Sequence, residues 1–150
     1  MGIDRKLTSL KPALAAAAAQ AIEAMKQAGL EICIVETNRT NEVQQAYYAQ
    51  GREPLDVVNA MRRAAGLWEI SERENQRQVT QTLNSRHIGG NAIDLCPMKD
   101  GRCWWDAPQD VWEKMGRIGE ENGLDWCAGG YGQTWGKGWD NPHFELGAWI

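Results

Sequence analysis

No stretch of the chain approaches the roughly 20 consecutive apolar residues that a membrane-spanning helix requires, so a membrane span is not expected. Basic charge is also short. The formal net charge is −4, which argues against attraction to nucleic acid or to an anionic membrane surface, since both need a basic excess. A compact neutral or zwitterionic substrate fits that balance better. Four cysteines are present, Cys33, Cys96, Cys103 and Cys127, but no two stand in the C-x-x-C spacing of a redox pair or a structural zinc knot. They read as reduced, partly buried thiols. Phenylalanine is nearly absent, one residue against eight tryptophans, so large flat side chains are needed somewhere other than a routine apolar core. A groove wall is one use for them. No internal repeat is visible, and 150 residues suffice for one core and one site, expected as a single domain and a monomer.

The opening Met1 to Lys6 and the alanine run Ala15 to Ala19 imitate a secretion signal. An export core is leucine-rich, however, and this run gives way to Gln20, Glu23 and Lys26. The expectation is synthesis in the cytoplasm without a signal peptide, any target outside the cell being reached only after release.

Leu14, Ala18, Ala21, Ile22 and Met25 recur at helical spacing and Gly29 stands where a helix C-terminus takes positive φ, which predicts a helix over about 10–28. Ile32 to Val35 is a short β-branched run and predicts a buried strand. Asn41 with Gln44 three residues on marks a helix start, with Val43, Ala46 and Tyr47 as its buried face. Between strand and helix, Thr37-Asn38-Arg39-Thr40 forms a loop at a strand end, a usual place for functional side chains. Pro54 opens a further helix with Val57, Val58 and Met61 inward, Ser71 with Glu74 announces another, and about 54–82 reads as a helical segment. Ile93-Asp94-Leu95 predicts a strand leading into a hairpin at Asp100-Gly101. That turn sets Met98 opposite Cys103 and Cys96 opposite Trp105, against a Cys96 to Cys103 bridge. A helix over about 107–122 follows, with Asp106 and Gln109 as a capping pair, Val111, Met115 and Ile118 inward, and Gly123 at its end. A Gly- and Trp-rich segment, Gly129 to Trp139, precedes a strand around His143 to Leu146. Without alternating βαβ units the class is α+β.

Only two histidines occur in the chain. Seven residues after His87 comes Asp94, and three before His143 stands Asp140. Gly89-Gly90 makes a helix across the first pair unfavourable, so a loop delivering His87 beside a strand carrying Asp94 is expected. Two imidazoles and a carboxylate leave one tetrahedral position open to water, as in a catalytic rather than a structural zinc site. Asp140 is then the natural general base, with Pro142 restricting the backbone between base and ligand.

The segment Ser85-Arg86-His87-Ile88-Gly89-Gly90-Asn91-Ala92-Ile93-Asp94 resembles the S-x-H-x-x-G-x-A-x-D motif of the M15 zinc peptidases, a family that includes phage endolysins and D-alanyl-D-alanine carboxypeptidases. Trp139-Asp140-Asn141-Pro142-His143-Phe144-Glu145 resembles that family's second motif, and Thr37 to Arg52, with Arg39 and the run Tyr48-Ala49-Gln50-Gly51-Arg52, is similar to its preceding strand, arginine and helix. The resemblance spans about 37–146 in family order. It implies a Hedgehog/DD-peptidase-like fold, with a small antiparallel sheet carrying Zn2+ on His87, Asp94 and His143. It further implies catalysis by Asp140 and a carbonyl-oxygen partner in Arg39, whose guanidinium stays charged and offers several donors. For Arg39 the bland alternative is a surface salt bridge. Ser85 is expected to orient the metal shell or the substrate, and Glu145 to hold a ligand imidazole; a packing role fits both equally.

The stretch of about 55–82 departs from short family members as a helical insert. Gly136-Lys137-Gly138-Trp139 looks more like the branch cleaving L-alanyl-D-glutamate than the carboxypeptidase branch, and the compact size suits a phage or prophage lysin. The implied substrate is the stem peptide of bacterial peptidoglycan. Alternatives are a D-alanyl-D-alanine carboxypeptidase, a non-catalytic zinc-bearing binding domain, which needs neither Asp140 nor Arg39, and a wall-degrading part of a phage particle.

Overall fold

Alanine has the highest helix propensity, and the run from Ala13 to Ala19 builds α1, Pro12–Gln27, with the proline in its first turn. The computed structural model describes residues 2–127 and 140–146. After α1 come β1 (Ile32–Glu36), α2 (Asn41–Ala49), α3 (Leu55–Ala64), α4 (Glu72–Asn75), β2 (Ala92–Lys99), β3 (Arg102–Cys103), α5 (Gln109–Glu121), β4 (Leu124–Trp126) and β5 (His143–Leu146). The α+β class expected from the sequence is what the chain adopts. The strands run β1-β2-β5-β4, every pairing antiparallel, with β3 beside the far end of β2.

Side chains alternate across a strand, and the sheet uses its two faces differently. Ile93, Leu95, Leu124, Trp126 and Phe144 join Leu14, Ala18, Ala21 and Met25 of α1 and Trp112 and Met115 of α5 in the main core. Across the opposite face, paired residues form a row: Glu36 of β1 lies opposite Asp94 of β2, and Asp94 opposite His143 of β5. The backbone N–H of Cys127 donates to the His143 carbonyl at the row's end. A smaller cluster, Val43, Ala46 and Leu67, fastens α2 to α3.

Several local expectations shift. The α2 cap is Thr40, whose hydroxyl accepts from the N–H of Val43, so Asn41 is already helical and Gln44 is free for other contacts. In α3, Val57 is exposed while Val58, Asn59 and Arg62 are buried; the buried stripe includes polar groups that apolar periodicity does not register. Between 54 and 82 the helices occupy only Leu55–Ala64 and Glu72–Asn75. Ser71 does cap the second, accepting from the N–H of Glu74. Asp106 and Gln109 form no cap on α5, which follows Pro108 without a side-chain cap. Its fully buried face is Trp112, Met115, Gly116 and Gly119, with Ile118 partly buried against the same core and Val111 at its edge, because the two glycines let the helix approach the sheet. The hairpin sets Met98 opposite Cys103 as expected. β3 ends there, however, and Cys96 faces Cys33 of β1 rather than Trp105. All four thiols are free. The stretch Gly129 to Trp139 lies outside the described residues.

At Gly116 an added Cβ would stand 2.1 Å from Cδ2 of Trp126. Helix propensity alone favours alanine over glycine by about 1 kcal/mol, whereas overpacking costs about 1–3 kcal/mol. Gly116→Ala is expected to lower the thermal midpoint; a rise would show that the Trp126 ring yields.

Candidate metal centre

Two glycine turns and one sheet register assemble the centre. Gly89 and Gly90 both take positive φ, +80° and +76°, and a Cβ on Gly90 would lie 2.6 Å from the Ser9 carbonyl oxygen. The loop therefore closes tightly before β2, as the expectation of a non-helical His87 requires. It is tied on both sides: the N–H of Lys11 donates to the Gly90 carbonyl, and that of Arg39 to the His87 carbonyl, each at 3.0 Å. His143 reaches the site through its pairing with Asp94.

Nε2 of His87 lies 3.1 Å and Nδ1 of His143 3.3 Å from Oδ1 of Asp94. The ligating atoms of the three residues all fall within 4.8 Å of one another. Each imidazole spends its other nitrogen on a neighbour. Nδ1 of His87 is 3.0 Å from the Thr37 carbonyl oxygen, which fixes the tautomer that leaves Nε2 a lone pair. Nε2 of His143 is 2.9 Å from Oε2 of Glu145, which turns Nδ1 toward Asp94. Nε of Arg86 in turn holds the second Glu145 oxygen at 3.1 Å. Such outer partners set ring orientation and ligand basicity in metal sites.

The electrostatics call for a cation at this point. Burial pushes the Asp94 carboxyl up, but hydrogen bonds from His143 and His87 and their charges outweigh that and hold it far below the usual range. Burial likewise opposes a charge on His143, yet hydrogen bonds to Asp94, Cys127 and Glu145 raise its pKa to about 12. Without a metal, the cluster thus keeps a proton where a divalent ion would put its charge. The donor set of two imidazoles and one carboxylate fits zinc. Cys127, His143 and Glu145 also lie mutually close, but Cys127 does not reach the open cleft of about 1140 Å³ that His87, Asp94 and His143 all line.

Asp140 sits at the same cleft, with Oδ2 3.8 Å from Nδ1 of His143. Its φ of +59° is a left-handed conformation that aspartate tolerates better than most residues. Burial is the largest influence on its carboxyl and raises its pKa, the direction that suits a proton acceptor. Gln109, expected as a cap, instead bonds to Asn141 through both amide atoms at 3.2 Å and so braces the Asp140 turn.

Arg39 lines the cleft as well. Its Nε and Nη2 both bond to Glu36, while Nη1 donates to Gln44 Oε1 at 2.8 Å and to Ser85 Oγ at 3.3 Å. The guanidinium lies over the Tyr47 ring. It is an ion pair, but a buried one rather than a surface one, with side chains only 13% and 8% exposed. Ser85 Oγ also accepts from the His87 N–H at 3.2 Å, joining the arginine to the metal loop. Glu36, Gln44, Thr37 and Arg86 are site residues that the sequence reading passed over. Gln44 had been assigned to a cap, Thr37 acts through its carbonyl, Arg86 stands at an unspecified position inside the first motif, and Glu36 lies just before the Thr37 stretch with no signature of its own.

Residues 78–146 match the family model described as D-alanyl-D-alanine carboxypeptidase, of the M15 peptidases. That stretch, 69 of the chain's 150 residues, is similar to the M15 peptidases. The matched stretch contains both histidines, Asp94, Asp140 and Glu145. The fold of the chain is shared by the Serratia marcescens L-Ala D-Glu endopeptidase ChiX, with a TM-score of 0.57 at 20% identity over 93% of this chain and 82% of that one. The vancomycin-resistance D,D-pentapeptidase VanY of a VanB-type cassette, in complex with Zn(II), matches with a TM-score of 0.53 at 14% identity, over 91% and 72%. The LD-carboxypeptidase LdcB gives 0.53 at 13% identity, over 96% and 63%.

Two expectations follow for this site. Glu145→Gln should retain the fold and weaken metal affinity by roughly 10- to 100-fold, and His87→Ala should hold no metal at the site; unchanged zinc content by metal analysis would remove either residue from it. Because His143 keeps its proton until about pH 12 in the metal-free protein, metal binding at neutral pH should release a proton. Calorimetry in buffers of different ionisation enthalpy reads this, and buffer-independent heats would contradict it.

Proposed function

We propose that this protein is a zinc-dependent peptidoglycan hydrolase of the phage or prophage endolysin type, cleaving the bond between L-alanine and D-glutamate in the stem peptide. The observation that carries the reading is the convergence of three ligand atoms, the Asp140 carboxylate and the Arg39 guanidinium on one open cleft. A zinc ion held by His87, Asp94 and His143 would supply Lewis acidity and make water a stronger acid. Asp140 accepts the proton of the attacking water and passes it to the leaving amine, which needs a carboxylate that is ionised at rest yet more basic than usual. Of the five N–H donors of a guanidinium, described partners take four on Arg39. The remaining Nη2 hydrogen is left for the scissile carbonyl oxygen as negative charge develops on it.

The choice of bond rests on the shape of the cleft and on the resemblance of the sequence to the endopeptidase branch. D-glutamate is linked onward through its γ-carboxyl, so an endopeptidase must leave room for the rest of the stem, as an open cleft of this size does. The family description favours the second reading, removal of D-alanine from the D-alanyl-D-alanine end. In both substrates the amine side of the scissile bond bears a D-residue with a free α-carboxylate. Digestion of purified peptidoglycan followed by mass spectrometry separates them. New termini beginning with D-glutamate are expected, and release of D-alanine alone would instead identify the carboxypeptidase.

Asp140→Asn preserves shape but not basicity. It should retain the metal and lose about 10²- to 10⁴-fold in kcat; near-normal turnover with metal bound would exclude Asp140 as the base.

A further inference from the structure

We propose that Arg62 of α3 is the anion subsite of the cleft, taking the free α-carboxylate of the D-residue on the leaving side of the scissile bond. This rests on the peptidase reading above and names the residue that recognises its substrate.

Arg62 is 9% exposed and lines the cleft. Its Nε donates to the Trp68 carbonyl. Asn59 exchanges hydrogen bonds with the Ile70 backbone, at 2.8 and 3.0 Å, and pins the same loop against α3. The stem of the arginine is therefore fixed. Its two terminal nitrogens are not: among the described residues no carboxylate lies within ion-pairing distance of Arg62, and neither Nη donates to a described atom. The adjacent Arg63 is the contrast, being exposed and paired with Glu69 at 3.1 Å. A buried cation without a counter-charge is costly unless something supplies one. A guanidinium fork presented to a cleft matches a carboxylate in shape as well as charge.

Position supports the same partner. Tyr47 stands between the two arginines, its ring centre 4.9 Å from the Arg39 guanidinium carbon and 6.0 Å from that of Arg62. The two charges are thus no more than about 11 Å apart, the sum of those distances. An extended peptide advances roughly 3.3–3.6 Å per residue, so Arg62 serves a group within about three residues of the carbonyl at Arg39. The α-carboxylate next to the scissile nitrogen lies inside that range. Arg39 has its charge neutralised by Glu36, and Arg86 is paired with Glu145. Arg62 is therefore the cleft arginine whose charge has no described counter-ion.

The test measures binding of uncut peptide to the zinc-loaded full chain carrying Asp140→Asn, by calorimetry. The probes are synthetic L-alanyl-γ-D-glutamyl-L-lysine and the same peptide with the D-glutamate α-carboxylate amidated. With Arg62 present, the carboxylate form should bind roughly 10- to 100-fold more tightly, the worth of a charge-assisted hydrogen-bonded pair. Adding Arg62→Gln should abolish that preference and leave affinity for the amide within about twofold. A preference that survives, or equal weakening of both peptides, overturns the assignment. Should the glutamine variant not fold, Arg62→Lys decides: its single-point charge should lower the preference several-fold, and an undiminished preference overturns the proposal. Turnover of the carboxylate peptide by the chain with Asp140 intact is read in parallel. Hydrolysis without a carboxylate preference removes the subsite and leaves the bond assignment standing. Preference without hydrolysis removes the bond assignment and leaves the subsite. Binding of neither peptide overturns both.

Discussion

The pairing of β2 with β5 is the constraint on which the rest depends. Its register sets Asp94 opposite His143, and a slip of one residue would turn His143 toward α1 and α5 while carrying Phe144 into the cleft. The apolar face enforces the register. Phe144 is fully buried with Ile93 and Leu95, and an added Cβ on Gly119 would come within 2.6 Å of the Phe144 ring, so the close approach of α5 is part of what aims the metal ligand. Packing on one side of the sheet thus determines chemistry on the other.

Around that register the charges are arranged in graded pairs. Glu36, Asp94, Asp140 and Glu145 supply four carboxylates to one region, and each has a different answer to its own repulsion. Glu36 is matched by Arg39, Glu145 by Arg86 and His143, and Asp94 by both imidazoles. Asp140 has no arginine bonded to it among the described residues, and burial raises its carboxyl pKa. Division of labour among similar groups therefore comes from their neighbours.

Much of this was legible in the sequence because the ligands stand in short motifs with unusual residue types. Two histidines in the whole chain, glycines after the first and a proline before the second leave few arrangements open. What the sequence did not disclose are contacts between residues far apart in the chain. Arg39 meets Ser85, and Gln44 the Thr82 carbonyl, across such distances, and Gln44 fits a capping pattern so well that its actual partners were hidden. On α5 Met115 was placed correctly, but Gly116 and Gly119 were missed because glycine carries no apolar signal, although an added Cβ at either would meet Trp126 or Phe144. Arg62 escaped for a similar reason, since arginine on an amphipathic helix ordinarily marks the solvent side.

The segment before α1 clasps both metal-site loops: Asp4 accepts from the Thr37 backbone and hydroxyl, and Lys11 donates to Gly90. Those contacts, like the pairing of Asp94 with His143, join residues distant along the chain, and closing such separations is slow compared with winding α1. During synthesis the alanine helix leaves the ribosome long before its clasp partners, and His143 emerges later still. The metal ligands therefore come together only after β5 has been made. A metal ion would then join a sheet already paired instead of serving as a nucleus around which it folds, and a nascent chain interrupted before β5 lacks His143 and with it the complete ligand set.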